Sequence, residues 1–114
     1  MAKLERRMQA DVATLANYLN GGIIDSGMSV ELVESSVQRI GEVSVWLYVY
    51  DKYYMRNSSR TALTVQIVGN GEQAYVTAIG AGGGNGSIFR FSYGAESNFV
   101  SVVSDLLDEY GKTR

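Results

Sequence analysis

Val43-Ser44-Val45-Trp46-Leu47-Tyr48-Val49-Tyr50 is the stretch on which the fold turns. Side chains of a strand point alternately to opposite faces. Val43, Val45, Leu47 and Val49 therefore share one face, and Trp46, Tyr48 and Tyr50 share the other. The aliphatic set is expected to pack on helices and the aromatic set to lie outside. The strand is expected to run from Glu42 to Met55, the strongest in the chain. Asn57-Ser58-Ser59 follows as turn material. Thr61 to Val68 then alternates, with Leu63, Val65 and Ile67 on one face and Thr64 and Gln66 on the other. Asn70-Gly71 predicts a hairpin of type I′, since both residues tolerate positive φ. Gln73 to Ala81 returns as a strand, and Ser87 to Tyr93 is expected as a last one.

Upstream, Ser29 to Ile40 reads as an irregular strand with Val30, Leu32, Val37 and Ile40 apolar. Asp11 is the expected N-cap of a helix, because Val12, Leu15, Tyr18 and Leu19 follow at helical spacing. Gly21-Gly22 is the expected stop. Lys3 to Gln9 fits a strand, with a short helix using Leu4 and Met8 as the alternative. Glu96 to Tyr110 is an amphipathic helix. Phe99, Val103, Leu106 and Tyr110 form its stripe, widened by Val102 and Leu107. Ser101, Ser104, Asp105 and Asp108 lie on the polar side, and Gly111 is the expected residue just past the end. The fold class is α+β: a curved antiparallel sheet of five to six strands with two helices on one face. The order is β-α-β-β-β-β-β-α, helix-grip-like in outline. Residues 1–114 read as one domain.

Composition limits the chemistry. An apolar fraction of 46% and a charged fraction of 19% are those of a globular chain. No signal peptide and no run of ~20 apolar residues is visible, so the expectation is a cytoplasmic protein with no membrane partner. Net charge of −2 and dispersed basic residues argue against duplex nucleic acid. There is no histidine and no cysteine. That removes a Ser-His-Asp triad, a thiolate nucleophile and the usual transition-metal ligands. No metal site, no cofactor and no catalytic residue is assigned.

Two constellations remain. Gly80-Ala81-Gly82-Gly83-Gly84-Asn85-Gly86 holds five glycines in seven residues. A dinucleotide fingerprint must open a helix, and a P-loop needs Gly-Lys-Ser/Thr. Here Ser87-Ile88-Phe89-Arg90-Phe91 continues as a strand, so the run is expected to be a hairpin loop. Its backbone N–H groups are the candidate nest for a small ligand or anion. The residues are Gly82, Gly83, Gly84 and Asn85, with Arg90 nearby. Trp46, Tyr48 and Tyr50 are the second constellation. Three large rings on an outer face point to a homodimer made through the sheet, to burial under other segments or, least of the three, to a platform for stacking single-stranded bases. In Tyr50 to Arg56, Tyr and Arg at a strand rim suit a small polar ligand, or simply lean over the core edge. No pair of carboxylates converges for acid–base work.

Several local patterns resemble one family of short bacterial proteins. They are Asp11-Val12 with Leu15, Tyr18, Leu19, Gly22 and Ile23; Val68-Gly69-Asn70-Gly71-Glu72; Thr77-Ala78-Ile79 entering the glycine run; Ile88-Phe89; and Glu96 with Phe99. The family they resemble is domain of unknown function family 6054, over nearly the whole chain. The glycine run here is longer than that family's Gly-Gly-Ser type. The resemblance carries no activity and no functional residue. The expected function is a non-enzymatic ligand-binding or interaction module. The alternatives are a homo-oligomeric structural protein and, last, an enzyme of carboxylate or tyrosine chemistry.

Overall fold

The computed structural model describes residues 2–54, 59–83 and 93–112. The elements are β1 (Ala2–Met8), α1 (Val12–Ile24), β2 (Val30–Ile40), β3 (Val43–Tyr54), β4 (Ser59–Gly69), β5 (Ala74–Gly83) and α2 (Tyr93–Lys112). The strand expected over 87–93 falls almost wholly outside the described residues, except that Tyr93 opens α2. The five strands form one antiparallel sheet in the order β1-β5-β4-β3-β2. β2 to β5 are a meander, and β1 joins at the far edge beside β5. Both helices lie on one face, as an α+β fold requires to bury their apolar stripes. Neither of them is long and apolar enough to cross a membrane.

The segment expected over Lys3–Gln9 is a strand, not a helix. Ala2, Leu4, Arg6 and Met8 alternate with the exposed Lys3, Glu5 and Arg7. Asp11 caps α1 as expected: its carboxylate accepts from Thr14 N and Thr14 Oγ1, each at 2.9 Å. The backbone hydrogen bond from Thr14 leads in holding that carboxyl below its ordinary pKa. Gly21-Gly22 does not end the helix, which runs on to Ile24. Gly22 is instead a close approach between helices. A Cβ there would stand 2.6 Å from Leu106 Cδ2. α2 likewise runs past Gly111 to Lys112.

The β4–β5 connection is longer than the two-residue type I′ turn expected at Asn70-Gly71. Residues 70–73 form it, and Asn70 N donates to Gln73 O at 2.9 Å. Asn70 Oδ1 accepts from Glu72 N at 2.8 Å and Gln73 N at 2.9 Å, so the side chain organises the turn. Val12 N donates to Asn70 O at 2.9 Å, tying the start of α1 to this hairpin. The two-residue turn is found instead between β2 and β3, where Ile40 pairs with Val43. There Gly41 has φ +63°, which glycine adopts without penalty. Ser59, read as turn material, begins β4.

The core joins Val12, Leu15, Ala16, Leu19 and Ile23 of α1 to Phe99, Val103, Leu107 and Tyr110 of α2 over the sheet. The sheet contributes Leu63, Val65 and Ile67 of β4, and Ala74, Val76 and Ala78 of β5. It also contributes Tyr48 and Tyr50 of β3. This corrects the expected facing of β3. Trp46, Tyr48 and Tyr50 point to the helices, and Val45, Leu47 and Val49 point away.

Candidate functional site

Register explains the reversal. Trp46 stands opposite Ile67, Tyr48 opposite Val65 and Tyr50 opposite Leu63. Directly opposed residues share a face. β4 has one apolar set, so its partner set on β3 is drawn inward with it. Each ring also buries more apolar surface than a valine would. Tyr50 is 0% exposed, and its hydroxyl donates to Asn20 Oδ1 at 2.7 Å. Burial, the largest cause, pushes the Tyr50 phenol well above its ordinary pKa, with the neighbouring Tyr48 adding to it. Burial raises Tyr48 as well. Trp46 Nε1 is buried without a hydrogen-bond partner. The rings form a ladder inside the chain, with centroids 6.4 Å apart for Trp46–Tyr48 and 6.0 Å for Tyr48–Tyr50. Tyr48 and Tyr50 are core groups, and Trp46 is partly buried against that core.

The glycine run divides. Gly80 to Gly83 are strand, not loop, and pair with Leu63, Ala62, Thr61 and Arg60 in turn. Gly84, Asn85 and Arg90 lie outside the described residues. Of the candidate ligand site, Gly82 and Gly83 are therefore placed on β5. Beside Gly82 sits Thr61, 0% exposed, whose Oγ1 makes no hydrogen bond. Next in that row is Lys52, with Nζ 5.6 Å from the Phe99 ring centroid. The rim tract is engaged too. Asp51 pairs with Arg60, and the Arg60 guanidinium lies 5.7 Å from the Tyr53 ring centroid. Met55 and Arg56 lie outside the described residues. Arg6 joins β1 to α2 through Asp108 at 2.7 Å and Ser104 at 3.1 Å. Among the described residues, no group of three or more acidic side chains is placed to hold a metal.

The sheet face away from the helices is the largest feature that sequence reasoning missed. Val43, Val45, Leu47 and Val49 run down β3, with Val68 and then Tyr75 next in the Val45 row and Ile79 beyond Thr64 in the Val49 row. Val43 is 40% exposed, Tyr75 45% and Ile40 80%. At one end an open groove of about 400 Å³ lies between Arg7, Val43, Val68, Ala74, Tyr75 and the 69–73 turn. The Arg7 guanidinium sits 5.7 Å from the Tyr75 ring centroid there, a cation–π contact. The signal for this face was available in the β3–β4 register, which assigns the phase of β3.

Charges border the apolar strip. β1 presents Lys3, Glu5 and Arg7 on this face. β2 presents Glu31, Glu34, Ser36 and Gln38. A bulge at Val33, between Leu32 and Glu34, keeps both glutamates on one side.

A family model described as "Family of unknown function (DUF6054)" matches residues 1–111. No curated protein matches the chain. Among solved structures, the chain is similar to the crystal structure of TTHA0849 from Thermus thermophilus. The two are 12% identical, over 95% of this chain and 94% of that one, with a TM-score of 0.36. At that level neither fold nor function transfers.

Proposed function

The chain belongs to the DUF6054 family of unknown function, and on that premise we propose a non-enzymatic interaction module that works through the open face of its sheet. One observation carries the reading. Both described helices cover one face, while the other leaves a strip of Val43, Val45, Leu47 and Val49 on β3, with Val68 and Tyr75 beside it, at least partly exposed, and Ile79 beyond Thr64. Soluble monomers rarely expose a continuous apolar patch beyond a few hundred Å². The polar border and the Arg7–Tyr75 pair match the composition of interface rims and anchors. The cytoplasmic setting expected from the sequence belongs to the same reading.

Because the chain has no cysteine, one introduced thiol is a clean probe. Gln66 is exposed at the centre of this face. Gln66→Cys, at nanomolar concentration, is expected to react with a charged maleimide at close to the rate of the urea-unfolded chain. Strong protection at that dilution means that the chain covers its own face, and the reading falls.

A second reading keeps a small anion at the glycine end of β5. The unpartnered, fully buried Thr61 hydroxyl beside Gly82 favours it. A thermal-shift titration with inorganic phosphate tests it: stabilisation that Thr61→Val abolishes supports it, and no shift removes it.

A further inference from the structure

We propose that the occupant of the open sheet face is a second copy of this chain, packed about a two-fold axis that runs along β4. The inference rests on the preceding reading of this face and names its partner. The first argument is charge. Across the face, register aligns three rows: Glu34–Val49–Thr64–Ile79–Lys3, Ser36–Leu47–Gln66–Thr77–Glu5 and Gln38–Val45–Val68–Tyr75–Arg7. β4 is the central strand of the five. A two-fold axis along it lays each row over the same row of the partner in reverse order. Lys3 then meets the partner copy's Glu34, and Arg7 meets its Gln38. Ile79 covers Val49, Tyr75 covers Val45, and Val68 meets its own copy.

The other face-to-face arrangement has its axis across the strands, through the middle row. It lays Lys3 over Arg7 and Glu5 over Glu5. Those like-charge contacts disfavour it. Between the two aligned arrangements, the edge charges of these three rows favour the first; Arg60, which lies further along β4 on the same face and would approach its own copy at the axis, has its charge offset by its ion pair with Asp51.

Geometry and area are compatible with a face-to-face pair. Aligned sheets pack with their strands ~30° apart. That rotation moves a strand ~10 Å from the axis by ~5 Å, within the reach of a lysine side chain. Five strands at ~4.8 Å spacing and about eight residues at ~3.3 Å rise make a flat face of ~600 Å². Side-chain relief brings this near the ~800 Å² per partner of a standard interface. Glu31 and Glu34 share this face only because of the Val33 bulge, so the bulge helps set the complementarity.

The test combines sedimentation and cross-linking. The wild-type chain is expected to pass from monomer to dimer in the micromolar range. Lys3→Glu or Glu34→Lys alone should weaken dimerisation about tenfold, and the double swap should restore it to within about twofold. Thr64→Cys, on the proposed axis, should cross-link to itself through a short bis-maleimide. Glu5→Cys should not. A chain that stays monomeric at about 200 μM overturns the proposal, while the Gln66→Cys probe still reports separately whether the face is open. Self-cross-linking of Glu5→Cys in place of Thr64→Cys overturns the symmetry, as does a charge swap without rescue.

Discussion

Gly21 and Gly22 are neighbours in one helix, yet alanine is expected to act in opposite directions at the two positions. Both lie inside α1 (Val12–Ile24). Removing glycine from a helix gains ~0.5–1 kcal/mol, chiefly by restricting the unfolded chain. At Gly21 nothing lies within 4 Å of an added Cβ, so that gain stands alone. Gly21→Ala should raise Tm by about 2–4 °C for a chain of this size. At Gly22 the new methyl would lie 2.6 Å from Leu106 Cδ2 and 2.8 Å from Cδ1. Comfortable carbon contacts are ~3.5–4.0 Å. Leu106 must change rotamer, or α2 must move. Movement of α2 is opposed by the hydrogen bond from Tyr18 Oη to Leu106 O at 2.8 Å. Overpacking of this kind costs ~1–3 kcal/mol. The net for Gly22→Ala is a loss of ~0–2 kcal/mol, and the two variants should differ by ~1–3 kcal/mol. Urea unfolding followed by the fluorescence of Trp46, the chain's one tryptophan, measures both at one fixed protein concentration. A double-mutant cycle with Leu106→Ala should show the two changes offsetting each other. If Gly22→Ala stabilises as much as Gly21→Ala, or the cycle gives no coupling, the packing role of Gly22 is wrong.

The hairpin glycine should be less forgiving. A Cβ at Gly69 would stand 2.1 Å from Gln73 O and 2.7 Å from Ala74 Cα, which are backbone atoms with no rotamer to change. Gly69→Ala is expected to cost ~2–4 kcal/mol in urea unfolding, and a cost below ~0.5 kcal/mol would refute the close approach. For Tyr50 the sign follows from a phenol whose folded pKa is raised by burial. Its contribution to stability is complete below the unfolded pKa of ~10, and is lost as pH rises through the folded value. Stability should therefore be flat at neutral pH and fall above pH ~10, with ultraviolet titration showing Tyr50 ionising only as the chain unfolds. A normal titration of every tyrosine in the folded protein would contradict this.

Much of the architecture was legible because local signals agreed. Asp11 before a helical spacing, the single apolar phase of β4 and the stripe from Phe99 to Tyr110 each admit one reading. β3 admitted two, since both of its alternating sets are apolar. Only its partner resolves the choice, through pairs far enough apart in sequence that local periodicity is silent. Gly22 was misread for a related reason. Glycine after a helical run signals a stop, yet the same residue is what a close neighbour demands, and Leu106 is 84 residues away. The face reading inherited the β3 error, so the rings were assigned to a surface that aliphatic side chains occupy.

The placement of β1 has a consequence for synthesis. Its partner β5 is made about seventy residues later, since Met8 pairs with Ala74 and Ala2 with Gly80. At ~5–20 residues per second, the segment waits ~4–14 s for its sheet neighbour among the described residues. During that interval Leu4 and Met8 have no core to enter, while Lys3, Glu5, Arg6 and Arg7 keep the nascent segment charged. Charged side chains on an unpaired strand are a common guard against pairing with other chains, and this segment carries four of them.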